Sequence, residues 1–206
     1  MAKAKSNAAK NIIVLFVVAL FSVAILAVLN QVTMEPIAKA DADARAAVYK
    51  AVYTDADKIE DVENFDSLLD KYSAHVIDPS IKINAALTAK DKSGNTIGYV
   101  IDATSPNGYG GDVRIALGIS NEGVITAFSV VDNSGETPGL GANSSKPEFS
   151  EQFSGLKAGT IAFSKTGANR DNNEIDAISG ATITTTAVTQ AVNESISFYN
   201  NVLKGE

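Results

Sequence analysis

Residues 81–131 read IKINAALTAKDKSGNTIGYVIDATSPNGYGGDVRIALGISNEGVITAFSVV, and this stretch decides the fold class. Ile81, Ile83, Ala85 and Leu87 alternate with their neighbours, the two-residue period of a strand with one buried face. Three more short apolar runs follow, Thr96–Ala103, Asp112–Ile119 and Val124–Val131, each bounded by Gly, Asn or Ser. Connections this short suit antiparallel neighbours, because a parallel pair needs a long crossover. Asn121-Glu122-Gly123 turns the chain between the last two strands. Downstream, Pro147–Phe153 predicts a helical turn and Ile161–Ser164 a further strand. Thr186–Leu203 sets Val188, Val192, Ile196, Tyr199 and Val202/Leu203 on one face, the pattern of an amphipathic helix. The reading is an α+β domain, an antiparallel sheet with flanking helices and no βαβ repeat.

Upstream the character of the chain changes. Ile12–Leu29, IIVLFVVALFSVAILAVL, is 18 residues long with Ser22 its one polar member. As a helix it spans about 27 Å, close to the hydrocarbon thickness of a bilayer. A cleaved signal peptide is the competing reading, but its apolar region is usually shorter and no clear small-x-small site follows before Glu35. Lys3, Lys5 and Lys10 precede the span, which sets the N-terminus on the cytoplasmic side and the remainder outside. Residues 35–58, EPIAKADADARAAVYKAVYTDADK, place Ile37, Ala44, Val48, Ala51 and Val52 near helical spacing, and Phe65–Tyr72 is a second short helix. The expected organisation is a cytoplasmic segment 1–11, a transmembrane helix 12–30, a helical stalk 31–80 and a folded domain 81–206.

Composition excludes several chemistries. The 206-residue chain has no cysteine, so disulfides, thiolate metal sites, iron–sulfur clusters and c-type haem attachment are out. His75 is the single histidine, too few for a multi-histidine metal or haem site. The net charge is −7, and since residues 1–30 carry three lysines and no acid, residues 31–206 carry −10. That balance repels nucleic acid. No nucleophile–base pair or carboxylate dyad stands out, so no catalytic residue and no metal ligand is assigned. Any redox group must be organic. Gly108-Tyr109-Gly110-Gly111 and Gly139-Leu140-Gly141 lack the spacing and the strand–helix setting of a dinucleotide-binding turn.

Two segments could carry chemistry. Asp176-Ala177-Ile178-Ser179-Gly180-Ala181-Thr182-Ile183-Thr184 lies just ahead of the final helix. Small residues and hydroxyls there leave backbone N–H groups and the positive end of the helix dipole available to a phosphate. The same residues also read as an ordinary helix start, capped by Thr184, Thr185 or Thr186. In Gly135-Glu136-Thr137-Pro138-Gly139-Leu140-Gly141, Pro138-Gly139 signals a type II turn.

Both segments resemble the signatures of the FMN-binding domain family. Its members include the G subunit of the Rnf ion-translocating ferredoxin:NAD oxidoreductase and the C subunit of the related Na⁺-translocating NADH:quinone reductase. The resemblance implies FMN held by a phosphoester to Thr182, placed there by a flavin transferase that uses FAD. It makes Asp176 the motif acid of recognition or transfer and Ser179, Gly180 and Ala181 the rest of the motif. The Glu136-Thr137-Pro138-Gly139-Leu140-Gly141 loop is implied to lie against the flavin. Glu136 or Thr137 could then bond the ring or ribityl chain, with Gly139 and Leu140 beside it, and Tyr109 could stack on the ring or simply pack. Many relatives carry a histidine shortly before this loop, where this chain has Asn133-Ser134-Gly135. The implied function is that of a membrane-anchored electron-transfer protein, its partners being the other membrane and Fe–S subunits of an Rnf complex. The C subunit of the quinone reductase and a cofactor-free tethered scaffold are the alternatives.

Overall fold

The computed structural model describes residues 2–204, with side chains from residue 9 to 204; the side chains of Lys3 and Lys5 fall outside those described. The chain divides after Ala44 into two compact units. Helix α1, Ala2–Val52, contains the apolar stretch, which falls in the first unit, and is long and apolar enough to cross a membrane. Its exposed side chains are Val, Leu, Ile and Phe almost throughout residues 12–29. The hydroxyl of Ser22 donates back to the Val18 carbonyl at 2.9 Å, so the one polar side chain within residues 12–29 is satisfied inside the helix. The helix does not break at residue 30. Alanine-rich sequence with charges at every turn carries it on to Val52, although Pro36 deletes one bond of the ladder.

The second unit is built on a five-stranded antiparallel sheet in the order β1 (Lys58–Asp61), β2 (Lys82–Lys90), β3 (Thr96–Ser105), β4 (Val113–Ser120) and β5 (Ile125–Asp132). Helix α2, Phe65–Tyr72, lies between β1 and β2 in sequence. After β5 come a 3₁₀ turn, Gly141–Ser145, and the one-turn helix α3, Pro147–Ser150, running into a second 3₁₀ turn, Glu151–Phe153. Strands β6, Ala162–Ser164, and β7, Glu174–Asp176, form a small parallel pair, and helix α4, Thr182–Phe198, closes the chain with a π turn at Tyr199–Leu203.

Strands β2 to β4 are apolar on both faces, which requires a cover on each. Ile101, Ile115, Leu117 and Ile119 pack with Val188, Ala191, Val192 and Ile196 of α4 and with Phe153, forming the main core. Leu87, Ala89, Val100 and Ala116 face the other way and are covered by Val52, Tyr53 and Ala56, with Val48 and Tyr49 at the margin. Buried Asp102 on that face accepts from the Tyr49 hydroxyl at 2.6 Å, Asn84 Nδ2 at 2.8 Å and Arg114 Nε at 2.7 Å. A buried carboxylate is tolerated only with such company.

Three expectations are corrected here. The segment 31–80 is not a stalk: the compact unit starts at Arg45, and β1 and α2 inside that segment belong to it. The apolar second face of the sheet is the physical reason, since residues 48–56 cover it. Lys58, expected at the end of a helix, instead begins β1, paired with Lys90 on β2. The even alternation read over Ile81–Leu87 is also interrupted. A register shift between Ile83 and Ala85 moves Ala85 and Leu87 to the second face while Ile81 and Ile83 stay in the main core. Strands β3 to β5, the turn at Gly123 (φ +75°) and helix α2 lie where the pattern puts them.

Candidate functional site

A cavity of about 400 Å³ opens at the first turn of α4, lined by Tyr109, Glu136, Thr137, Leu140, Gly141 and residues 180–184. Three chain segments meet there: the loop between β3 and β4, the loop after β5, and the entry to α4. Each is placed by local chemistry. Thr137-Pro138-Gly139-Leu140 is a β-turn, with Leu140 N–H donating to the Thr137 carbonyl at 3.1 Å and Gly139 at φ +78°, as the type II reading requires. Asn133 Nδ2 donates to Ser144 Oγ and Ser145 Oγ, both at 2.9 Å, tying this loop to the 3₁₀ turn. Asn133 thus serves as a tie between this loop and the turn that follows it.

Glu136 joins all three segments. It is 5% exposed; Oε1 accepts from the Tyr109 N–H and Oε2 from the Thr184 hydroxyl, each at 2.8 Å. Gly141 makes the arrangement possible, because a Cβ there would collide with the Glu136 carboxylate and the Thr184 hydroxyl. The expectation that Glu136 would reach a ligand is thus joined by a structural duty. Thr184 is not a helix cap but a wall of the cavity, bound to an acid 48 residues away. Sequence spacing holds no signal for a pairing so distant.

The capping expectation fails for a simple reason: α4 begins at Thr182, and the residue before it is Ala181, which has no side-chain cap. Thr185 and Thr186 lie inside the helix and donate back to the carbonyls of Ala181 and Thr182, both at 2.9 Å. Thr189 does the same to Thr185 at 2.8 Å. The first intrahelical bond runs from Thr185 N–H to the Ala181 carbonyl, so the N–H groups of residues 182–184 precede the ladder. Of the α4 threonines, Thr182 is half-buried on the cavity wall, and among the described residues no hydrogen bond engages its hydroxyl. Tyr109 (69% exposed), Ile183 (52%) and Leu140 (43%) rim the opening, an apolar border of the kind a flat ring needs. Ile183 carries no signal in the sequence that would single it out.

Two motif residues lie elsewhere. Asp176 lines a separate cleft of about 580 Å³ with Lys146, Glu148, Gln152 and Arg170; its Oδ1 accepts from Ala168 N–H at 2.8 Å. Ser179, like Gly139 of the turn, is exposed and outside the residues that line the Thr182 cavity. Gly180 takes φ +74°, a left-handed conformation that glycine adopts without strain, and lines the cavity with Thr182. Among the described residues, no group of three or more His, Cys, Asp or Glu could hold a metal ion.

Residues 108–197 match the FMN-binding domain family. Over 193 residues the chain is 32% identical to the G subunit of the Na⁺-translocating ferredoxin:NAD⁺ oxidoreductase complex of Acetobacterium woodii, covering 93% of this chain and 91% of that one. The G subunit of the proton-translocating ferredoxin:NAD⁺ oxidoreductase complex of Clostridium ljungdahlii is 43% identical over 108 residues, 52% of this chain and 56% of that one. The crystal structure of the C subunit of the Na⁺-translocating NADH-quinone reductase from Parabacteroides distasonis superposes with a TM-score of 0.51 at 27% identity, over 59% of this chain and 63% of that one. The matched segment begins at the Gly108 loop and ends within α4, so it contains every wall of the cavity, and the long alignment carries the likeness beyond it. The chain belongs to the FMN-binding domain family, among the G subunits of ion-translocating oxidoreductase complexes.

Proposed function

We propose that this chain is a membrane-anchored electron carrier, with FMN held in the Thr182 cavity through a phosphoester to Thr182 Oγ1. The observation that carries the reading is the free hydroxyl: the other α4 threonines each donate theirs to a protein acceptor, and Thr182 does not. The surroundings fit the cofactor. Backbone N–H groups of residues 182–184 and the helix dipole favour a phosphate at that point. Tyr109, Leu140 and Ile183 offer apolar surface to a ring system.

When bound, FMN supplies one- and two-electron redox chemistry; the chain itself supplies position. Thr182 fixes the cofactor's phosphate end, Glu136 and Gly141 hold the cavity's walls together, and the apolar rim limits water. Covalent tethering keeps the cofactor at high local concentration beside its redox partners and prevents its loss to the medium. The maturation step joins Thr182 Oγ1 to the FMN phosphorus as the FAD pyrophosphate bond breaks and AMP leaves, which requires a flavin transferase. Asp176, exposed in the neighbouring cleft, is accessible to such an enzyme. The apolar helix α1 anchors the chain with residues 31–206 outside the cytoplasm, next to the membrane and Fe–S subunits of an Rnf-type complex.

Co-expression with a flavin transferase, followed by denaturing electrophoresis and in-gel flavin fluorescence, tests the attachment. Wild type and Thr186→Ala should fluoresce and Thr182→Ala should be dark. Equal fluorescence from Thr182→Ala would refute the assignment.

A further inference from the structure

The cavity is lined by aromatic and aliphatic side chains, glycines and threonines, and among the described residues it has a single charged lining side chain, Glu136. That side chain is buried, and donors approach both of its oxygens: the Tyr109 N–H and the Thr184 hydroxyl. Two donors aimed at two oxygens is the environment of an acceptor-only carboxylate. The remaining lining groups are neutral, and one wall is the N–H end of α4.

We propose that Glu136 is a positioning and potential-setting residue: it braces the three cavity walls and lowers the reduction potential of the redox group seated there. The proposal rests on the functional reading above. Reduction by two electrons with uptake of one proton adds one negative charge to the bound group. A fixed carboxylate in the same low-dielectric cavity opposes that charge more strongly than it would in water. Burial removes the solvent that would screen it, and the two short hydrogen bonds stop it from swinging away.

Glu136→Gln isolates the charge. The amide oxygen can accept from Tyr109 N–H and the amide nitrogen can donate to a reoriented Thr184 hydroxyl, so both ties survive while the charge is lost. Thr184→Val is the converse change, removing one tie and leaving the carboxylate. Both variants and wild type are made as full-length flavinylated chains in detergent and titrated with dithionite against a reference dye. Glu136→Gln should raise the midpoint potential by a tenfold or greater change in the reduction equilibrium, about 30 mV for a two-electron couple. Thr184→Val should stay at or below the wild-type potential. An unshifted Glu136→Gln, or a Thr184→Val raised as far as Glu136→Gln, overturns the proposal. If Glu136→Gln does not fold, the double change Glu136→Leu/Thr184→Val, in which both partners of the bond become apolar, carries the same test: a raised potential supports the proposal and an unshifted one overturns it. Absence of any covalent flavin in wild type is a different failure, that of the functional reading itself.

Discussion

Five threonines stand in α4, at 182, 184, 185, 186 and 189, and their hydroxyls have different fates. Three fold back on carbonyls one turn earlier, a habit that adds little to helix stability. Thr184 bridges to Glu136, and Thr182 lines the cavity. The order Asp-x-x-Ser-Gly-Ala-Thr singles out Thr182 in the sequence because a motif is local. The Glu136–Thr184 bond escapes such a reading because two residues 48 apart meet only once the sheet has formed. At this scale Gly141→Ala should destabilise the chain by about 1–3 kcal/mol, the cost of forcing a methyl group into a filled site. A lowered midpoint in chemical denaturation of the detergent-solubilised chain would register it, whereas an unchanged midpoint would mean that the Glu136 side chain yields freely.

Among the elements, α4 is the one on which the domain turns, and its far end is secured by a second buried acid. Glu194, 1% exposed, accepts from the Tyr72 hydroxyl at 2.6 Å and from the N–H groups of Ile77 (3.2 Å) and Asp78 (3.0 Å). Glu194→Ala strips all three donors of their partner and should cost on the order of 3 kcal/mol or more, measured by the same denaturation. Buried phenols give a pH signature. Burial first, then the Asp55 carboxylate, pushes Tyr53 up to about 12, and burial with the Glu194 hydrogen bond raises Tyr72. An unfolded tyrosine titrates near 10, roughly its value in a free peptide. Between those values the unfolded chain holds fewer protons than the folded one, so stability falls as pH rises. Melting temperature should be insensitive to these groups below pH of about 10 and drop above it. Tyr53→Phe should make that drop shallower. Strands β3 to β5 are legible as elements because their apolar runs are long; β1 is not, since Lys-Ile-Glu-Asp is four residues with one apolar member and acquires its identity from pairing with β2. Sequence pattern alone starts α4 at Thr186, one turn late, because a run of threonines has modest helix propensity and reads as a cap.

For the whole molecule, the α+β class, the membrane-length helix and the antiparallel sheet follow from periodicity, the length of one apolar run and short connections, while the domain boundary does not. Residues 45–57 look like more of the same helix until the sheet's second apolar face is seen to need them. A chain cut to begin at residue 45 should therefore fold and remain soluble, whereas one beginning at residue 81 should aggregate, as judged by gel filtration and circular dichroism. The apolar rim of the cavity and the N–H end of α4 are the features that support the proposed FMN at Thr182. The intact mass of the chain purified from its native membrane tests this most directly. The account predicts the mass of the polypeptide plus one FMN less one water, located on the peptide containing Thr182; a colourless protein of unmodified mass would contradict it.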